Sequence, residues 1–112
     1  MPGLLLSRLL MRAGIDAMVL ERRSRDRVLS RIRAGGLELG TADTLRRAGV
    51  GECMDREGQV HSGCYLSAGE SLIRMPFGEL CGRNVTVYGQ TEVTRDLYAA
   101  QEADGAVILH DV

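Results

Sequence analysis

Between Leu20 and Gly35 the chain reads LERRSRDRVLSRIRAG, a short apolar run that ends in Glu21 and is followed by six arginines within twelve residues. Only Asp26 opposes them between Arg22 and Arg33, so the segment carries a local charge of +5, six Arg minus one Asp. Such a patch suits phosphate or another polyanion; charge alone equally describes a solvated helix face. The run before it, Ala17 to Leu20, fits a strand buried in a parallel sheet, with the acid standing at its end.

A chain of 112 residues makes one small domain or part of one. Its net charge is only -1, yet residues 1–50 carry ten Arg against five acids and residues 51–112 carry four Arg against ten acids, giving halves of +5 and -6. All fourteen basic residues are Arg. That usage allows bidentate contacts to phosphate or carboxylate, and a GC-rich genome produces the same bias. Cys53, Cys64 and Cys81 are odd in number and lack CxxC pairing, which points to neither a disulfide framework nor a zinc site. The apolar run Leu4 to Leu6 is interrupted by Arg8 and Arg12, so it is neither a signal peptide nor a membrane span. The expectation is a soluble cytoplasmic chain with no membrane partner.

Leu4, Leu5, Leu6, Leu9, Leu10 and Ala13 recur at helical spacing ahead of Gly14, which predicts a helix over 3–13. After the strand, Ser24 is placed to cap a short helix over 25–31, and Gly35-Gly36 breaks the chain. Leu37, Ala42, Leu45 and Ala48 predict a helix closed by Gly49. A turn-rich passage follows Gly51, then Val60–Ala68 and Ser71–Phe77 read as a hairpin around Ala68-Gly69-Glu70. Val85–Tyr88 reads as a strand, Thr91 as the cap of a helix from Glu92 to Ala103, and Ala106–Leu109 as a last buried strand after Asp104-Gly105. Together these elements predict an α/β domain with a small antiparallel excursion. No nucleophile is paired with a base in a recognisable motif, and no cluster has metal-ligand spacing.

In dinucleotide-binding folds a Gly-rich turn opens the first helix, and an acid about 20 residues later accepts a hydrogen bond from the adenosine ribose. Gly3 and Glu21 lie eighteen residues apart, and a carboxylate offers two acceptor oxygens to a diol. A charged residue after a buried strand is also common in its own right.

The stretch GLLLSRLLMRAGIDAMVLERRSRDRVLSRIRAGGLELG, the His61 region GQVHSG and the run VTVYGQTEVTRDL resemble the N-terminal FAD-binding region of the 4-hydroxybenzoate 3-monooxygenases, class A FAD-dependent aromatic hydroxylases. The resemblance runs over nearly the whole chain and covers about the first quarter to third of a family member. It implies a partial Rossmann-like FAD-binding domain over residues 1–112, with FAD and NADPH or NADH as cofactors. By resemblance, Glu21 would bind the FAD ribose. Arg31, Ile32, Arg33, Ala34, Gly35 and Gly36 would contact flavin and phosphates, as would Gln90. Arg33 is the leading candidate, because an arginine fork binds diphosphate oxygens bidentately. Arg22, Arg23 and Arg27 would favour the NADPH 2'-phosphate. His61 would end a path that deprotonates the phenolic substrate; a surface histidine on a hairpin is the alternative.

Of the family's Gly-rich turn, whose amides receive the diphosphate at a helix N-terminus, the sequence keeps Gly3 as the last glycine. The first strand, the later acidic flavin motif and the substrate clamp have no counterpart in the 112 residues. The chain is therefore expected to be a fragment of an NAD(P)H-using monooxygenase that converts 4-hydroxybenzoate to 3,4-dihydroxybenzoate. By itself it should be inactive and bind FAD weakly or not at all, and a family-like homodimer is left open. A non-enzymatic remnant that associates with a complementary partner is the first alternative; an Arg-rich anion or RNA binder is the second, disfavoured by the acidic second half and the few aromatics.

Overall fold

The computed structural model describes residues 2–112. Pro2–Arg12 form α1, Met18–Glu21 β1, Arg25–Leu29 α2, Gly36–Glu38 β2, Leu39–Arg47 α3, Glu52–Glu57 α4 and Gln59–His61 β3. Cys64–Ala68 form β4, Ser71–Met75 β5, Phe77–Cys81 α5, Val85–Val87 β6, Gln90–Ala103 α6 and Val107–His110 β7. Pro2 suits the first helical position, where its missing N–H would have had no partner. Helices α1, α3 and α6 stop alike, each at a glycine with positive φ: Gly14, Gly49 and Gly105. The two amides from each of these glycines onward bond back to the last turn, as in Ile15 N–H to Leu10 O at 2.9 Å.

Strands β1 and β7 pair in parallel, from Met18 opposite Val107 to Glu21 opposite His110. One face of the pair packs on α1 and α6, with Val19 and Ile108 against the core. The other face presents Met18, Leu20, Val107 and Leu109, all between 42% and 65% exposed. Strand β6 is the centre of an antiparallel sheet, with β2 on one side and β3 on the other. Strands β4 and β5 form a separate hairpin that packs chiefly on itself. The core lies where α1, α3 and α6 meet, with Ala48 and Leu97 fully enclosed and Leu45, Met54, Val93 and Tyr98 nearly so.

Arg8 is buried at that junction. Its Nε donates to Ala48 O at 2.9 Å, and its Nη1 reaches Ala100 O and the Asp104 carboxylate. One guanidinium thus satisfies the C-terminal carbonyls of α3 and α6, where a positive charge is favourable. The radius of gyration is 16.6 Å, against about 13 Å for a compact domain of this length. The molecule is elongated, 50 Å along its longest axis.

Several expected boundaries are corrected. Leu37 belongs to β2, paired with Thr86, and α3 begins only at Leu39. The turn-rich passage after Gly51 contains α4, and α5 follows Pro76. The expected strand Val60–Ala68 is two: β3 pairs with β6, and only β4 pairs with β5. Ser62 and Gly63 separate them, and at Gly63 the chain passes so close to the end of β5 that a Cβ would stand 2.9 Å from Met75 O. Thr91 does not cap α6; the N-cap is Gly89, with no side-chain bond, and Thr91 lies inside the helix. Ser24 does cap α2, its hydroxyl accepting the Arg27 amide, but that helix ends at Leu29 rather than residue 31.

Candidate functional site

A cavity of about 510 Å³ opens between the end of β1, helix α2, the segment after it and the first turns of α6. Glu21 stands on its wall at the carboxyl end of β1. Its Oε1 accepts the Arg23 amide at 2.8 Å, which closes a tight turn and fixes the carboxylate while its second oxygen keeps acceptor capacity.

Arg23, Arg27, Arg31 and Arg33 line the same cavity. None of the four is ion-paired among the described residues. The wall therefore carries four positive charges against the single negative charge of Glu21, a net +3. The arginines are presented by short local devices. Ser24 caps the start of α2, the Ser30 hydroxyl donates to Arg27 O, and the chain then runs exposed to Gly35.

Gly35 explains how Arg31 and Arg33 come to face α6. Its carbonyl accepts the Tyr88 amide at 2.8 Å. A Cβ at this position would lie 2.9 Å from Tyr88 O and 3.0 Å from Gly89 Cα, so the two segments touch backbone to backbone. Gly89 then starts α6 without a side-chain cap, and Gln90, Thr91 and Thr94 complete the wall. The Thr94 hydroxyl donates to Gln90 O at 2.7 Å. The start of this 14-residue helix contributes unsatisfied amides and the positive end of its dipole. Behind the wall, the Tyr88 hydroxyl donates to Asp96 at 2.7 Å. Burial first, and that bond second, push the Tyr88 phenol well above its ordinary pKa.

Of the residues singled out by sequence, Glu21, Arg23, Arg27, Arg31, Arg33 and Gln90 converge on the cavity. Gly3 sits in the first turn of α1 beside Val19, while its neighbour Pro2 reaches the wall. Arg22, Ala34 and Ile32 are exposed, the last to 92%, and do not form part of its wall. Gly36 is spent in β2, and His61 lies exposed at the end of β3, opposite Val85 and off the cavity wall. Val28 and Thr94 were not anticipated. Thr94 was findable, one helical turn beyond Gln90 on the same face.

An α/β protein with a cationic cavity at the carboxyl end of a parallel strand belongs to the class that holds a phosphate-bearing cofactor. More narrowly, the chain is a member of the FAD binding domain family, which matches residues 2–112. It is 47% identical over 104 residues to p-hydroxybenzoate hydroxylase of Acinetobacter baylyi, covering 92% of this chain and 26% of that relative. The chain thus spans about a quarter of the relative's length. Its fold matches the crystal structure of pqsL, a probable FAD-dependent monooxygenase from Pseudomonas aeruginosa, with a TM-score of 0.82 at 16% identity, over 96% of this chain and 29% of that one. The complex of PqsL with 2-aminobenzoylacetate gives a TM-score of 0.84 at 17% identity, over 96% and 30%. Among the described residues no helix is long and apolar enough to cross a membrane, and no group of His, Cys, Asp or Glu is placed to hold a metal ion.

Proposed function

We propose that this chain supplies the adenosine and diphosphate half of the FAD site in an aromatic monooxygenase acting on 4-hydroxybenzoate. The observation that carries the reading is the net +3 wall of one cavity, built from four arginines without acidic partners around an oriented Glu21. The residues fit the cofactor. Glu21 accepts from the ribose hydroxyls, Arg31 and Arg33 bind the diphosphate oxygens, and the uncapped α6 start with Gln90 adds neutral donors. A diphosphate carries about two negative charges, leaving roughly one positive charge over. Arg23 and Arg27 would direct that surplus to the 2'-phosphate of NADPH; Arg22, off the wall, has no such part. Bound flavin would supply the oxygen chemistry, the transfer of one atom of O2 to the ring with NADPH as reductant. The protein's contribution is position and charge. The setting proposed is cytoplasmic catabolism of aromatic acids.

The test is an amide NMR titration of the chain with FAD and ADP, followed by flavin fluorescence and NADPH oxidation with 4-hydroxybenzoate. Weak, saturable shifts at Glu21, Arg23, Arg33 and Gln90 are expected, without turnover. Absence of shifts overturns cofactor binding; tight binding with turnover overturns the expectation that the chain is inactive by itself.

The exposed face of β1 and β7 favours a second reading alongside the first. Parallel sheets are normally covered on both faces, so Met18, Leu20, Val107 and Leu109 suit contact with the remainder of a flavoprotein fold. Co-purification with a complementary polypeptide supports this reading, and a chain that stays alone in its presence counts against it.

A further inference from the structure

We propose that His110 is a positioning residue for the adenosine half of the cofactor, acting from outside the cavity by latching the turn that presents Glu21. The inference rests on the FAD reading above. The two residues are register partners, Glu21 at the end of β1 and His110 at the end of β7. The His110 Nδ1 lies 3.0 Å from Arg23 O. A carbonyl only accepts, so Nδ1 carries the proton and donates. Arg23 O has no other hydrogen bond among the described residues, and the Arg23 amide on the other side of the same residue is taken by Glu21 Oε1. The backbone of Arg23 is therefore pinned twice, from the cavity by the carboxylate and from the sheet by the imidazole.

The imidazole is itself held. Its ring lies 5.6 Å from that of Tyr98, tilted by 36°. Tyr98 is buried on α6, and the Arg25 guanidinium lies over its ring, 4.9 Å from the centroid, while pairing with Glu102. The charged and titratable groups around His110 are thus Glu21 on β1, Arg23 on the turn, Tyr98 on α6 and Asp111 next in the chain, with Arg25 of α2 and its partner Glu102 of α6 beyond Tyr98. Helix α6 in this way fixes both ends of the cavity wall: its first turn directly, and the Glu21 turn through Tyr98 and His110. Freed of the latch, Arg23 can rotate its peptide, the Glu21 carboxylate loses its anchor, and the ribose meets an unpositioned acceptor.

The experiment compares His110→Leu, which keeps an apolar side chain against Tyr98 without a donor, with His110→Asn, whose side-chain amide places an N–H near the position of Nδ1. Amide hydrogen exchange is measured in the unliganded chain, and ADP affinity by NMR titration. With H110L, exchange at Arg23 should quicken and ADP binding weaken about fivefold, the scale of one neutral hydrogen bond. H110N should return both to within about twofold of wild type, which a purely packing role of the ring would not do. Unchanged Arg23 exchange in H110L overturns the latch, as does failure of H110N to restore it. Equal ADP affinity in wild type and H110L does the same. If the wild-type chain binds neither ADP nor FAD, the cofactor reading itself falls, and with it the role given to His110, whatever the exchange rates.

Discussion

Arg33 and Gly35 stand two residues apart and fail in different ways when altered. Arg33 acts through its fork, so Arg33→Lys keeps the charge but loses the two parallel bonds to a diphosphate. FAD affinity should fall about tenfold in a fluorescence or NMR titration, with thermal stability unchanged. Gly35 acts through having no side chain. Gly35→Ala puts a Cβ 2.9 Å from Tyr88 O and must push β2 from the start of α6. It should lower stability by about 1–3 kcal/mol in denaturant unfolding and weaken FAD as well. A third residue gives a pH effect. Arg46 bonds Asp55 on α4 and Asp43 on α3, and its guanidinium holds the Asp55 carboxyl below the usual carboxylate range. A depressed folded-state pKa means stability that is present above the unfolded value and lost as pH falls through the folded one. Asp55→Asn should therefore lower stability slightly at neutral pH, converge with wild type once pH falls below the folded-state value, and so flatten the acid profile in the carboxylate range; an unaltered pH profile of denaturant unfolding would contradict this. At this scale sequence was informative where a residue acts by charge at a fixed spacing, as Glu21 and the arginines do. It was blind to the latch on Arg23, which arises only when β7 and α6 meet the turn.

Elements were legible where one helical face is buried along several turns, as in α1 and α6. They were misread where two elements share one inward direction. Leu37 continues the spacing of Ala42, Leu45 and Ala48, and it is buried with them, yet it belongs to a strand. Hydrophobic periodicity reports direction toward the core and is indifferent to a change of backbone within it. The split at Gly63 was hidden for a related reason: β3 and β4 are both extended, and only their partners differ. The hairpin β4–β5 is the least supported element, with Leu66 and Ile73 opposite one another and each nearly half exposed. An isolated hairpin is marginal in water. Limited proteolysis should cut first at Ala68-Gly69-Glu70. Ile73→Ala should cost less than about 1 kcal/mol, whereas Leu97→Ala, at a fully buried site, should cost about 2–5 kcal/mol. Equal losses would show that the hairpin is packed more firmly than its exposure indicates.

The whole molecule joins parts that are far apart in the chain. Strand β1 finds its partner 89 residues later, Met18 opposite Val107, since 107 − 18 = 89. Helix α1 packs on α6, Arg8 reaches Asp104, and Gly35 meets Tyr88. The α/β class was readable from the order of elements, while the exposed β1–β7 face was not, because an apolar strand looks the same whether one face or both are covered. The long-range pairing has a consequence for biosynthesis. While the arginine-rich segment is leaving the ribosome, neither β7 nor α6 exists to receive it. Non-local contacts of this kind are slow to form. A nascent chain halted before residue 85 should remain protease-sensitive throughout, and one extended past residue 112 by a linker should acquire protection at Leu4, Leu45 and Leu97 together. The cofactor groove thus forms only after α6 and β7 have been made, and ribosome pausing within α6 would leave it open to chaperones rather than to flavin.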